Sequence, residues 1–418
     1  MAEFPKFTVR SAQDSDLTQV VNLDRLSFAP LSSDEEIKQE WFADGISLPG
    51  RKFFLAIETE TGEGVGGYAQ LDLRIWFEQQ AFPAMGIAAV AVAPHRRGQR
   101  IARLMLEHAL TMGQEQNLPL IALYPFQHGF YRKLGWAWVE QMHQYRVSAR
   151  YIPGFRERSQ IFPYHPDHQS SLQSVYDQAA SHHNGWFQRQ SWQWESRLKP
   201  AKGREIYCYG HGTELTGYVI LQFTHLPSQV ALSVVVQEWV ALSAEAYRGI
   251  LGFLASLRDQ VSTIVWNTYP ADPFPHLLQE QRQDPGLAST SFEFGLVHPF
   301  GAIGGGFMWR LVDLKQAFAL RPIRSGESFA LTFQVTDPVL GNRAIAAEFS
   351  NQRMTSLKQP TSTVIYTSIA HLTELFCGVR RATDLLWTGE IEYEGELTLL
   401  SQLDRAWQAE PPFCWDFF

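Results

Sequence analysis

The stretch Ala89-Val90-Ala91-Val92-Ala93-Pro94-His95-Arg96-Arg97-Gly98-Gln99-Arg100-Ile101-Ala102-Arg103-Leu104-Met105 decides how this chain is read. Its first part, Ala89 to Val92, is an apolar run with β-branched residues, the composition of a strand. Pro94 ends that strand, because it has no amide to donate to a sheet ladder. From Ile101 the apolar residues Ile101, Leu104, Met105 and Ala109 recur at the spacing of one helix face. The order is therefore strand, basic loop, helix start. Such a loop presents unpaired backbone N–H groups and the positive end of a helix to an anion. Arg96, Arg97 and Arg100 add side-chain charge suited to a diphosphate. A basic turn at a helix start is also an ordinary solvated cap, so the exact residue order has to separate the two readings.

That order, V-x-V-x-P-x-x-R-G followed by an apolar helix, resembles the acetyl-coenzyme A signature of the GNAT N-acetyltransferase superfamily, R/Q-x-x-G-x-G/A. His95 stands in the first place and Gly98 keeps the central glycine, where bare backbone can approach a phosphate closely. Arg100 replaces the last small residue, with a side chain able to reach a phosphate itself.

The 418 residues are enough for two or three domains. A hydrophobic share of 45% supports sizeable cores. A formal charge of −8 argues against general nucleic-acid binding. Cys208, Cys377 and Cys414 lie far apart without metal-ligand spacing, so no metal is expected, and they fit buried thiols in a reducing cytoplasm. Met1 to Phe7 carries acid and proline with no apolar core behind it, so no signal peptide is expected. No apolar run approaches about 18 residues, so no membrane span is expected.

Ahead of the loop, the patterns predict a strand at Phe7–Arg10, helices at Asp14–Phe28 and Ser32–Phe42, and strands at Phe53–Glu58, Gly66–Trp76 and Met85–Val92. After it come a strand at Leu118–Tyr124, a short helix at Gln127–Leu134 and two last strands within Trp136–Val147. Pro153, Pro163 and Pro166 mark the crossing into a second α/β region. There Glu238 to Leu251 repeats strand, Arg-Gly and helix, without the proline and with Arg248 as its one arginine. Either this is a degenerate copy that has lost the cofactor, or it is a chance likeness between two α/β units. Gly301–Gly306 reads as a loop. Met308–Val312 reads as the start of a third unit, with strands near Phe329–Val335 and Ala344–Phe349 and helices near Ile369–Phe376 and Glu394–Ala406. This unit loosely resembles sterol-carrier domains, although an apolar interior explains the pattern without a lipid. The expected fold is mixed α+β and α/β: two tandem GNAT-like domains at 1–149 and 150–305, then a sterol-carrier-like α+β domain at 306–418.

The run Phe130-Tyr131-Arg132-Lys133-Leu134-Gly135-Trp136 carries the second signal. Phe-Tyr-Arg-Lys-x-Gly-aromatic after this strand is common in the superfamily, where the tyrosine lies beside the sulfur of coenzyme A. When an amine attacks a thioester a thiolate leaves, and a phenol with a pKa near about 10 can protonate it. The alternative is a packing residue with a satisfied hydroxyl. The chain closes on Pro411-Pro412-Phe413-Cys414-Trp415-Asp416-Phe417-Phe418. Termini fray unless tied down, so an end this aromatic is expected to pack against the body and partly desolvate its carboxylate.

Together these pieces resemble the Eis (enhanced intracellular survival) family. The resemblance implies transfer of acetyl from acetyl-coenzyme A to amines of polyamine small molecules such as aminoglycosides, by direct attack in a ternary complex. It implies Tyr131 as general acid and the terminal carboxylate of Phe418 as general base. The implied cofactor contacts are Val90, Ala91, Val92, Arg97, Gly98, Gln99, Arg100, Ile101, Ala102, Arg103, Phe126 and Gln127. Phe28, Trp41 and Asp416 are candidate linings of an acidic, aromatic substrate pocket. The resemblance also implies a trimer or hexamer. A carboxylate with a reference pKa near about 3.5 is a poor base until burial raises it, and proton removal through one water is an equal route. Two other readings stand beside this one. One is a protein-lysine or peptide acetyltransferase. The other is a coenzyme A- or lipid-binding scaffold without turnover, for which Arg100 is the best sequence argument.

Overall fold

The computed structural model describes residues 6–43, 45–46, 48–225, 231–281, 300–324, 326 and 328–418. Residues 1–5, on which most of the signal-peptide expectation falls, lie outside these. The chain forms two compact units: Met1–Val139 with Phe307–Glu410 and Phe417–Phe418, and Glu140–Gly306 with Pro411–Asp416.

In the first unit a seven-stranded sheet runs in the order Phe7–Ser11, Arg51–Glu58, Gly64–Phe77, Gln80–Val92, Leu120–Leu123, Met308–Leu311 and Ala137–Trp138. The strand leading into the basic loop is antiparallel to Gly64–Phe77 from end to end. Its parallel ladder with Leu120–Leu123 covers only Ala84 to Ile87. Beyond Ile87 the two strands part, leaving an open edge in front of the loop. There Ala89 and Val90 together face the single residue Tyr68, and Ala89 has a φ of 49°. Such a bulge bends a strand and takes amides out of the ladder. Helix Ile101–Glu115 packs Ile101, Met105 and Ala109 into the core, as the spacing predicts, together with Leu106 and Leu110, while Leu104 is only half-buried.

Met308–Leu311 departs from expectation. Read as the opening of the third unit, it is a strand of the first sheet, antiparallel to both Leu120–Leu123 and Ala137–Trp138. All four of its residues are buried. A short strand covered on both faces has no alternation to betray its sheet. The rest of this unit carries a five-stranded sheet in the order Arg353–Leu357, Arg343–Ser350, Phe329–Thr336, Val364–Ser368 and Glu392–Glu394. Its interior is filled by rings: Phe333 and Phe318 lie 5.3 and 5.6 Å from Trp407. Arg321, 1% exposed, sits among them with no ion pair among the described residues. Its Nε donates to the carbonyl of Phe376 at 2.7 Å and its Nη2 to that of Trp407 at 2.8 Å. It thus closes the C-terminal ends of helices Ile369–Phe376 and Leu397–Ala406.

The second unit repeats the first sheet. Its order is Ile161–Pro163, Arg204–His211, Glu214–Thr224, Leu232–Ala241, Val261–Thr268, Gln141–Ser148 and Ala302–Gly305. The one parallel pair, Leu232–Ala241 with Val261–Thr268, falls at the same place in the order. A register shift between Ile220 and Leu221 falls where the first sheet has its bulge. The second region is thus a copy of the first, and not a chance likeness. Two assignments change. Gln141–Ser148, expected to close the first domain, pairs with Val261–Thr268 in the second sheet, because a strand's own pattern does not say which partner it will find. Gly301–Gly306, expected as a loop, contains the strand Ala302–Gly305, paired with Gln141–Gln144. Its glycines weaken the strand signal.

Candidate active site

In the loop, left-handed residues lead into a helix start that no side chain caps. Gly98 has a φ of 81°, a conformation that glycine takes readily. Arg100, the helix N-cap, is also left-handed at 63°, and no side chain caps the first turn. A non-glycine residue held there costs about 1 kcal/mol, and strain of this kind gathers at ligand sites. The first-turn amides, at Ile101, Ala102 and Arg103, are therefore available to an outside acceptor. Of the arginines, Arg96 is not available: its Nη1 and Nη2 donate to Glu58 at 3.1 and 2.8 Å, and its Nη2 also donates to Glu63. Arg103 pairs with Glu107 at 2.6 Å. Lys6 donates to the side chain of Gln99 at 3.3 Å. Arg97 and Arg100 are exposed, with no ion pair among the described residues. Val90 and Val92 are half-buried on the open edge, and Ala91 is buried between them.

The matching place in the second unit is closed. Ser243 accepts from the amide of Ala246 and caps helix Ala244–Ser256. Arg248 is paired with Glu157 and Glu245. A Cβ on Gly249 would lie 2.2 Å from the ring of Tyr209. The Arg-Gly echo there serves packing.

Tyr131 belongs to helix His128–Arg132 and is 2% exposed. Its ring meets Phe130 at 5.1 Å, Phe126 at 5.4 Å and Trp136 at 6.2 Å. Burial pushes its phenol well above the ordinary value, so it stays protonated and able to donate. Phe126 and Gln127 stand exposed at the start of this helix. Phe418 lies at the fork between the diverging strands. Its ring is 4.7 Å from Phe307, and a Cβ on Gly86 would lie 2.9 Å from its Cζ. Phe417 packs against Tyr124 at 4.8 Å. Gly86 and Ile87 face Ala122 and Leu123, the last rungs before the strands part. Tyr131 shares a core cluster with Met85, Ile87 and Leu123. Trp41, like Ala88 and Ala89, packs on the buried cluster that includes Leu55 and Ala91, with the half-exposed Phe28 at 6.4 Å.

Asp416 has a different place from the expected pocket lining. In the second unit, Arg189 donates to it at 3.0 and 3.1 Å, Arg197 lies at 3.4 Å, and Tyr176 donates at 3.4 Å. Its side chain is 9% exposed. Arg189 also holds Glu238, which accepts from Tyr218 as well. Asp416 is therefore an anchor for the tail segment. Nothing local in the sequence points to Arg189, because its carboxylate partners are 49 and 227 residues away. Among the described residues, no group of three metal-ligating side chains occurs. No described helix is long and apolar enough to cross a membrane.

Comparison with known proteins agrees with this fold. Residues 8–139 and 185–311 each match an acetyltransferase (GNAT) domain family, and residues 314–415 match a sterol carrier protein domain family. The chain is 24% identical over 366 residues to the N-acetyltransferase Eis of Mycobacterium tuberculosis, covering 84% of each protein. Among solved structures, a GCN5-related N-acetyltransferase from Anabaena variabilis superposes with a TM-score of 0.84 at 23% identity, covering 99% of this chain and all of that one. Eis1 from Mycobacterium abscessus superposes at 0.77 and 20% identity, covering 99% of this chain and 100% of the other.

Proposed function

Since the chain belongs to the Eis type of GNAT N-acetyltransferases and is an acetyl-coenzyme A-dependent enzyme, we propose that it acetylates amines of small polyamines, aminoglycosides among them, by direct attack in a ternary complex. What supports this reading is an uncapped cationic helix start beyond one open strand edge, with a buried phenol that shares a core cluster with that strand and an aromatic chain end packed close to its Gly86. In this reading Gly98 to Arg103, with Arg97, fix the diphosphate, so the thioester is presented in a repeatable position. Val90, Ala91 and Val92 hold the pantetheine arm, and a backbone amide polarises the thioester carbonyl. Phe126 and Gln127 flank the arm. Phe28 and Trp41 form an aromatic wall for the acceptor. The α-carboxylate of Phe418 takes the ammonium proton, directly or through one water. The amine nitrogen then bonds to the acetyl carbon, the carbon–sulfur bond breaks, Tyr131 protonates the departing thiolate, and the extra proton left on the nitrogen restores the phenol. The rings filling the third domain's interior favour this over a lipid-carrying role. The reading extends to a homo-oligomer, trimer or hexamer, in the cytoplasm, which light scattering and fractionation measure.

The test is a thiol-release assay against simple amines, polyamines, aminoglycosides and lysine peptides. Release with polyamines and aminoglycosides is expected. Release with lysine peptides alone would move the acceptor to proteins, and release with none would leave a binding scaffold. Acetyl-coenzyme A at 100 times its Kd should stabilise the fold by about 2.7 kcal/mol, read as a rise in Tm. Replacing Arg100 alone by Ala should raise the KM for acetyl-coenzyme A about 10- to 100-fold, since one charge-assisted bond is worth about 1.5–3 kcal/mol.

A further inference from the structure

The helix that carries Tyr131 spans five residues. A helix that short has no stability of its own, so its seat is set by what holds its ends. Its C-terminal turn is closed by Leu134, whose amide donates to the carbonyl of Tyr131 at 2.9 Å, and by Trp136, whose amide donates to the same carbonyl at 3.2 Å. The carbonyl of Leu134 accepts from Nε of Arg310 at 2.9 Å. Arg310 is wholly enclosed, and its guanidinium lies 5.7 Å from the centre of the Trp136 ring. Its Nη2 bonds to Asp337, also wholly enclosed. The same Asp337 oxygen accepts from the amides of Val339 and Leu340, each at 3.0 Å, and its other oxygen pairs with Arg343 at 3.1 Å.

Two further contacts bind the same turn to the sterol-carrier-like region. Gly135, between Leu134 and Trp136, has a φ of 91°, and a Cβ there would lie 2.5 Å from Ile369 Cγ2 and 3.0 Å from Arg310 Nε. Arg132 lies 3.6 Å from Glu374, whose side chain is 5% exposed. Ile369 and Glu374 belong to one helix, Ile369–Phe376. The tyrosine turn is thus gripped from the third domain at its glycine and at its arginine, and its carbonyl is held by Arg310 of the first sheet, which Asp337 of the third domain holds in turn.

We infer that Arg310 is a positioning residue for the reaction: it transmits the rigidity of the third domain, through Asp337, to the turn that aims the Tyr131 hydroxyl at the leaving sulfur. This rests on Tyr131 being the general acid. It gives the sterol-carrier-like domain a part in the chemistry that requires no ligand of its own. A guanidinium is needed because one planar group donates to a carbonyl on one side and a carboxylate on the other, a fork that an ammonium cannot reproduce.

The test is a double-mutant cycle on the full chain with Arg310→Lys and Tyr131→Phe. Arg310→Lys is expected to lower kcat about 10- to 100-fold, the penalty of a small misplacement of a catalytic group. The KM for acetyl-coenzyme A should stay within about twofold, because the diphosphate loop is on other elements. In the Tyr131→Phe background, Arg310→Lys should change kcat by less than about twofold. Equal losses in both backgrounds would overturn the inference and leave Tyr131 in place. Full activity of Tyr131→Phe alone would remove the general acid, and with it the inference. If Arg310→Lys does not fold, Asp337→Asn, which leaves every side chain of the turn intact, takes its place in the cycle under the same criteria.

Discussion

Appending a few residues after Phe418 should lower the turnover of acetyl transfer about 100- to 10,000-fold, the range a positioned general base contributes. The extension converts the α-carboxylate into an amide, which has no basicity at neutral pH. The Phe417 side chain is 73% exposed, so added residues have a route to solvent, and the Tm should stay within about 2 °C. Binding of acetyl-coenzyme A should be unchanged, because the diphosphate loop does not include the tail. Phe418→Ala separates charge from seating. It keeps the carboxylate and removes the ring from Gly86 and Phe307, so a loss of about tenfold is expected, from poorer positioning alone. Unchanged kcat in the extended protein would falsify the role of Phe418.

The second large effect is on stability. Arg189→Met should destabilise the second unit by about 3–5 kcal/mol, because it strips a buried cation from two enclosed carboxylates. Arg189 and Glu238 are wholly enclosed, and Asp416 nearly so. Arg197, at 3.1 Å from Glu238 and 3.4 Å from Asp416, remains but cannot neutralise both. The loss should appear as a Tm lower by about 10 °C, at about 2–4 °C per kcal/mol for a unit of this size. Adding Glu238→Gln should recover part of it. The same cluster sets an acid limit. Burial pushes the Glu238 carboxyl up, but Arg189 and Arg197, with bonds from Arg189 and Tyr218, bring it down to about 2. A carboxylate lowered in this way stabilises the fold above its unfolded value of 4.5. That stability is lost as pH falls from there toward 2. Acid unfolding followed by fluorescence should therefore shift to higher pH in Glu238→Gln. A wild-type acid profile in that variant would count against the cluster.

These expectations draw unequally on sequence and structure. The loop strand, its proline and the helix after it were legible because each is written in neighbouring residues. The short helix around Tyr131 was legible for the same reason, written in one continuous run. The role of Arg96 was misread, because a charged side chain in a basic loop does not reveal that Glu58 and Glu63 lie across from it. Asp416 was misread likewise, through Arg189 and Arg197. Arg310 was invisible: a lone arginine in an apolar strand has no pattern, and its meaning lies in a carbonyl 176 residues earlier in the chain. Periodicity reports which face of an element is buried, while pairing across long separations is decided by the whole fold.

The strand Met308–Leu311 fills a gap between Leu120–Leu123 and Ala137–Trp138 that stays empty until it is made. On the ribosome, the acetyltransferase sheet must wait for about 170 residues of later sequence, or about 10–35 s of synthesis at ~5–20 residues per second. During that interval the nascent chain carries two unpaired apolar strand edges, the kind of surface that chaperones bind and that aggregates when left uncovered.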